Sequence, residues 1–270
     1  MKVILTRFTL ICIGLSIIGL MIPGKSFAEI DTEAIVGAWL FEEGSGNTAK
    51  DSSGNGNDGD IEGTPGWVNG KFGKAMEFDG QSDYVVIKDN DGLDLNQMTV
   101  AAWVNLTAYA DDQRVISKEE GTSDPYSVYS LQISGANDTK LEFRPTLNGA
   151  RQRIETAADV PLGQWTHVAA TYDGKAVTLY IDGEVDKSTP ATGEMMTNDK
   201  DVWIGASEFY TPRFFSGLMD EAVLFNIALS QDDIKDLMNI GLGTVLAVSP
   251  ADRLTTTWAR MKVQLSLIHI

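Results

Sequence analysis

The sequence predicts an all-β protein: two antiparallel sheets packed as a sandwich, with a short helix near the C-terminal end of the domain. Three observations lead there. From Ile35 onward, short runs alternate apolar and polar residues, the period of a strand with one buried face. Gly, Asn and Asp cluster between these runs, and 26 glycines allow the chain to reverse that often. About a dozen evenly spaced runs point to a sandwich rather than a βα unit.

Taken in order, the candidate strands are "IVGAWLF", "AMEFDG", "YVVI", "TVAAWVNL", "RVISK", "YSVYSLQIS", "KLEFRP", "WTHVAATYD", "AVTLYIDG", "DVWIGA" and "GLMDEAVLFN". In "TVAAWVNL", Val100, Ala102, Val104 and Leu106 share one face. In "AVTLYIDG", Val177, Leu179 and Ile181 do so, with Thr178 and Tyr180 opposite. "YDGK" and "IDGE" place Gly where tight hairpins need it. "DSSGNGNDG" is a surface loop, because Gly, Asn and Ser favour turns and positive φ. Trp39, Trp103, Trp165 and Trp203 fall one per strand and are read as packing. "LSQDDIKDLMN" is the helix: Ser230 caps it, Asp232 and Asp233 occupy its first turn, and Ile234, Leu237 and Met238 share a face. "GLG" then stops it. A second helical pattern, "SPADRLTTTWARMK", has Ser249 as cap and Pro250 at its first position.

The N-terminus reads as a secretory signal peptide over residues 1–28. Lys2 and Arg7 precede an apolar run from Phe8 to Ile22, and "SFA" offers small residues for cleavage after Ala28. The run is shorter than the roughly 20 residues a membrane span needs, so no span is expected after cleavage. The expected location is secreted, periplasmic or cell-surface. Cys12, the only cysteine, leaves with the signal, so a core or a metal must stabilise the rest without a disulfide. The chain carries a net charge of −17, although its two ends are basic. So acidic a body repels phosphate backbones, which excludes nucleic acid as a partner, and it attracts divalent cations.

Read together, "AWLFEEGSGNTAKDSSGNGNDG", "GKFGKAMEFDGQSDYVVI", "MTVAAWVN", "VISKEEG", "GQWTHVAATYDGKAVTLYIDG" and "FFSGLMDEAVLFNIALSQDDI" resemble the laminin-G-like branch of the concanavalin A-like lectin/glucanase superfamily, in a secreted protein of bacterial type. The resemblance covers residues 35–240. It implies a jelly-roll domain over 29–240, followed by a linker or helix over 241–264. The last six residues, "LSLIHI", match the translation of a sequencing adapter, so 265–270 are read as an assembly artefact.

The resemblance also implies one structural Ca²⁺ at the sandwich edge, held by an aspartate on a late strand, an acid near the start and loop carbonyls. The matching residues are Asp220 in "GLMDEA", Asp79 in "FDG" and Asp51 in "AKDSSG". Calcium takes about six to eight oxygens, and Gly-rich loops let carbonyls converge. The alternative is that each Asp caps its own turn. Candidate ligand-binding groups are Arg151 and Arg153 in "NGARQRI", and Tyr210 and Arg213 in "SEFYTPRFF". Aromatic rings beside hydrogen-bonding groups suit a sugar, and such loops sit at the rim of a sandwich. The alternative is a solvated loop covering the core edge. A Ser–His–Asp site could be built on His167, but the resemblance makes it a strand position, and within 29–264 a zinc site lacks a second histidine and any cysteine.

Three functions compete. The first is a non-catalytic extracellular recognition module for a glycan or a cell-surface protein. The second is a glycoside hydrolase of the same fold, whose retaining members hold carboxylates about 5–5.5 Å apart on a Glu-x-Asp-x-Glu strand. "EIDTE", Glu29 to Glu33, matches that spacing but precedes the first strand, where no neighbour would hold it. The third is a structural adhesion module of a longer surface protein. The sequence favours the first.

Overall fold

The computed structural model describes residues 30–110, 112–135, 139–209 and 213–247. The signal segment, "SPADRLTTTWARMK" and "LSLIHI" lie outside them. Two eight-stranded antiparallel sheets form among the described residues. The first runs Glu184–Pro190, Ala176–Ile181, Thr166–Tyr172, Met98–Leu106, Ser216–Phe225, Lys74–Asp79 and Gly66–Asn69, with Ile35–Trp39 also paired to Ser216–Phe225. The second runs Ile154–Asp159, Lys140–Phe143, Ser127–Ser134, Gln113–Glu119, Val202–Ile204, Tyr84–Ile87, Gly59–Glu62 and Thr48–Ala49. This is the expected two-sheet jelly-roll sandwich.

The faces assigned from alternation hold. Val100, Ala102, Val104 and Leu106 point into the core between the sheets, with Val177 and Leu179 and with Phe78, Trp39 and Phe143. The opposite face of the first sheet is also covered. Ala101, Ala169, Tyr180 and Val223 lie beneath Ile234 and Leu237 of the helix Gln231–Ile240. A central strand buried on both sides explains why "MTVAAWVNL" is nearly all apolar. Both hairpins form: Gly174 has φ +84°, and Asp182 and Gly183 have φ +48° and +74°, the left-handed pair that a two-residue turn needs.

Ser230 caps the helix, and Asp233 returns the bond in a capping box. Gly241, at φ +79°, ends it. The chain then enters a second short helix, Leu242–Ala247, whose Leu242 and Val245 are buried in the helix-covered core. Packing therefore continues past residue 240. "EIDTE" is no strand. Asp31 accepts a bond from the Glu33 amide, and Thr32–Ala34 form a single 3₁₀ turn leading to the first strand at Ile35. Among the described residues, no helix is long and apolar enough to cross a membrane.

Candidate functional site

Asp51, Asp79 and Asp220 do not act as one group. Asp51 Oδ1 accepts the amides of Ala38 (3.0 Å) and Ser53 (2.9 Å), and its Oδ2 accepts that of Asn57 (2.9 Å). Asp79 Oδ1 accepts the amides of Gln81 (2.7 Å) and Ser82 (2.8 Å). Burial works against the Asp79 charge, but these bonds hold its carboxyl below the usual range. Both residues cap turns. Asp79 also pairs opposite Ser216, four residues along the strand from Asp220, roughly 13 Å at strand rise.

Asp220 is different. It is fully buried, and its Oδ2 accepts the Phe72 amide at 2.9 Å, while Oδ1 has no partner. Burial pushes its carboxyl up to about 7, and the charges of Glu221 and Glu42 add to the push. The ladder to Met98–Leu106 is irregular between Asp220 and Val223, and Glu221 has φ +50°, so a bulge re-aims these acids. Glu221 then accepts the amides of Leu242 (2.9 Å) and Gly243 (3.4 Å), capping the last helix. A Cβ on Gly70 would stand 2.5 Å from Asp220 Oδ2, so only glycine allows the loop this close. An orphaned carboxylate oxygen among further acids suits a cation, so Asp220 fits calcium where Asp51 and Asp79 do not. Among the described residues, no three His, Cys, Asp or Glu side chains converge as a metal cluster, so backbone oxygens would have to complete the shell.

A second constellation lies on the outer face of the second sheet. Alternation sends Tyr129, Leu131 and Ile133 inward and turns Gln132 out. Register aligns Gln132 with Arg114 on one side and Glu142 on the other. This polar row is sealed by loops: Arg114 is 2% exposed, and Gln132 and Glu142 are fully buried. Asp112 anchors it. Its carboxylate accepts from Gln132 Nε2 (2.9 Å), from Arg144 Nη2 (3.1 Å) and from Arg213 Nη2 (3.4 Å). Arg114 donates to Glu119 Oε1 (2.8 Å), to the Asp112 carbonyl (3.0 Å) and to Gln132 Oε1. Glu142 Oε1 accepts from Arg144, and from Arg153 at 3.1 Å. Burial pushes the Arg114 guanidinium down, and the charge of Arg213 adds to that push. Arg144 is opposed by its burial too, but Glu142 and Asp112 hold it above its ordinary value.

Above this row opens a cavity of about 290 Å³. Arg114, Arg144, Arg151 and Arg213 line it, with Tyr126 beside them. The Arg151 guanidinium lies 4.5 Å from the Tyr126 ring centroid. Thr122 and Ser127 add hydroxyl groups to the wall. Asp112 and Tyr126 both sit in the left-handed region, at φ +49° and +65°. For a tyrosine that conformation costs on the order of 1 kcal/mol or more, and such strain gathers at functional sites.

Of the four expected ligand-binding residues, Arg151 and Arg213 meet at this cavity, and Arg153 stands behind it on Glu142. Tyr210 lies outside the described residues. Sequence reading missed Arg114, Arg144, Asp112 and Tyr126. The available signal was a polar or charged residue at the outward positions of three successive strands, in "RVISK", "SLQIS" and "KLEFRP". His167 is a strand residue, as expected. It is buried against Trp103, with ring centroids 5.3 Å apart. Burial, with Lys71 adding, lowers it to about 3. Trp39 and Trp103 are buried in packing. Trp203 stacks on Tyr84 at 4.7 Å, while Trp165 flanks its strand and lines a separate surface cavity with Lys71 and Phe72.

Residues 79–235 match the family model described as the concanavalin A-like lectin/glucanases superfamily. Domain 4 of AbnA, an extracellular GH43 arabinanase from Geobacillus stearothermophilus solved with arabinotriose, aligns with a TM-score of 0.61 and 26% identity, over 76% of this chain and 98% of that one. The binding domain of Paraclostridial Mosquitocidal Protein 1 aligns with a TM-score of 0.64 at 15% identity, over 77% of this chain and 52% of that one. The binding domain of botulinum neurotoxin DC, solved with rat synaptotagmin II, gives 0.60 at 16%, over 78% and 52%. The last two share the fold. Pappalysin-1 of Mus musculus is 24% identical over 211 residues, 70% of this chain but 13% of that protein. The chain thus spans a small part of that curated relative.

Proposed function

Because the chain belongs to the concanavalin A-like lectin/glucanase superfamily, we propose that it is a non-catalytic, exported recognition module that binds carbohydrate in the arginine-lined cavity. The observation that carries this reading is the cavity itself. Guanidiniums, two hydroxyl residues and an aromatic ring converge on a space of about 290 Å³, close to the roughly 300 Å³ at which ligand pockets begin. Guanidiniums donate in fixed forks to ring and hydroxyl oxygens, and the buried row beneath holds them in place. The likeness to an arabinanase domain solved with arabinotriose supports a sugar as ligand.

The carboxylates nearby argue against the hydrolase alternative. Glu119 is held by Arg114, Glu142 by Arg144 and Arg153, and Asp112 by Arg144 and Arg213. Side chains tied to guanidiniums in this way are not free to reach a glycosidic oxygen. In the same reading a structural calcium would be held at Asp220, with Glu42 as a second carboxylate and backbone oxygens around them.

A glycan array probed with the purified protein tests the proposal. Binding to a defined set of oligosaccharides, without release of reducing ends, is the expected result. Hydrolysis of a bound glycan would move the chain to the enzyme class. Silence on the array with capture of a surface protein would make the module a protein receptor.

A further inference from the structure

We propose that the arginine cavity is selective for an acidic sugar and takes the carboxylate of a uronic acid residue. This rests on the reading of the cavity as the carbohydrate site and names the ligand class. The argument starts from charge. The chain carries −17 overall, yet four guanidiniums and no acidic side chain line this cavity. Asp124, largely exposed, pairs with Arg151 at 3.5 Å, and the carboxylates that balance the other three lie behind the wall. Asp112 serves Gln132, Arg144 and Arg213 at once, Glu119 Oε1 meets Arg114, and Glu142 Oε1 meets Arg144 and Arg153 while its Oε2 has no partner. Three buried acids are thus shared among Arg114, Arg144, Arg153 and Arg213. Arg114 and Arg213 repel one another as well. An anion seated between them would relieve that repulsion at every guanidinium it touches.

Geometry selects the kind of anion. Arg151 is held over the Tyr126 ring at 4.5 Å, and that ring is fixed by a strained backbone at φ +65°. The Arg151 Nε faces Asp124 at 3.5 Å, which leaves the two terminal nitrogens to match the two oxygens of one carboxylate. Thr122 and Ser127 on the same wall suit the neighbouring hydroxyls. The acidic body beyond the pocket repels densely charged chains, while a single oxyanion lies within a Debye length of about 8 Å of its arginines at physiological salt. A sparsely charged uronate glycan satisfies both conditions. A heavily sulfated one does not.

Calorimetry on the whole protein with aldotriouronic acid (one glucuronate on xylobiose), its methyl ester, arabinotriose and a sulfated galactan oligosaccharide tests this. Arg151→Gln and Arg213→Gln are the informative variants, because both side chains are partly exposed and a melting curve checks that each still folds. The expected result is that the acid binds at least about tenfold more tightly than its ester, the preference falls with added salt, and each variant loses it. Equal affinity for acid and ester, a preference for arabinotriose, or binding of the sulfated galactan alone would overturn the inference and leave the carbohydrate reading standing. Binding of none of them, with silence on the glycan array, would overturn both.

Discussion

Arg151 lays its guanidinium 4.5 Å from the centre of the Tyr126 ring, and the tyrosine backbone that makes this possible sits at φ +65°. The contact joins two loops that meet at the cavity mouth, one after Gln113–Glu119 and one after Lys140–Phe143. In the proposed function, a residue held at positive φ to present a ring serves the ligand rather than the fold.

Tyr126→Gly should separate the two roles. Glycine adopts φ +65° without strain, so the melting temperature should hold steady or rise slightly. Sugar affinity should fall about tenfold, because the ring and the Arg151 orientation are lost together. Calorimetry and a thermal melt on the same sample read both quantities.

Asp112→Ala should destabilise the protein by roughly 3–5 kcal/mol, because it removes the carboxylate that Gln132, Arg144 and Arg213 share beside a buried polar row. Asp112→Asn should lose less. Asparagine tolerates the left-handed backbone at φ +49° and keeps one acceptor for the guanidiniums. Urea unfolding of the two variants beside the parent gives the difference.

Asp220 sets a pH dependence of definite sign. Its pKa is raised from the ordinary 3.8 to about 7 in the folded protein. Between those values the folded state binds the proton that the unfolded state has released. Its contribution to stability therefore falls as pH rises from about 4 to about 7 and is level above that, at ~1.4 kcal/mol per pKa unit. Asp220→Asn should flatten this slope and raise the melting temperature at pH 8 in chelator. Added calcium should stabilise the parent and leave the variant unchanged, and an equal response in both would remove Asp220 from the metal proposal.

His167 slopes the other way. Folding lowers its pKa from 6.5 to about 3, so the unfolded chain takes up a proton first as pH drops. Its contribution to stability is whole above about 6.5 and is lost progressively toward 3. In folded protein the imidazole carbon-bound proton signals should not titrate between pH 5 and 8. A midpoint near 6.5 would mean that the ring is solvated.

The strands were legible because burial of one face writes a period of two, as in "AVTLYIDG", and burial of both faces writes a continuous apolar run, as in "TVAAWVNL". Glu184–Pro190 was not legible. It is an edge strand with mostly exposed side chains, so nothing apolar repeats, and Lys187 and Pro190 are what an edge uses to discourage further pairing. Gly59–Glu62 escaped for the same reason, since "GDIE" reads as turn. Asp220 was found through its motif, but Asp51 and Asp79 sit in equally Gly-rich surroundings and spend their oxygens on turn amides. The cavity was half legible. Arg151 and Arg213 stand in polar loops, where charge draws the eye. Arg114 and Arg144 follow strand alternation and read as ordinary solvent-facing positions, until the register places them beside Gln132 and Glu142.

The most direct test of the central claim is backbone amide chemical-shift mapping with whichever oligosaccharide binds best on the array. The account predicts that perturbations gather at Thr122, Tyr126, Ser127, Arg151 and Arg213, around the cavity on the second sheet. Perturbations confined to Lys71, Phe72 and Trp165, at the separate cavity on the first sheet, would contradict it.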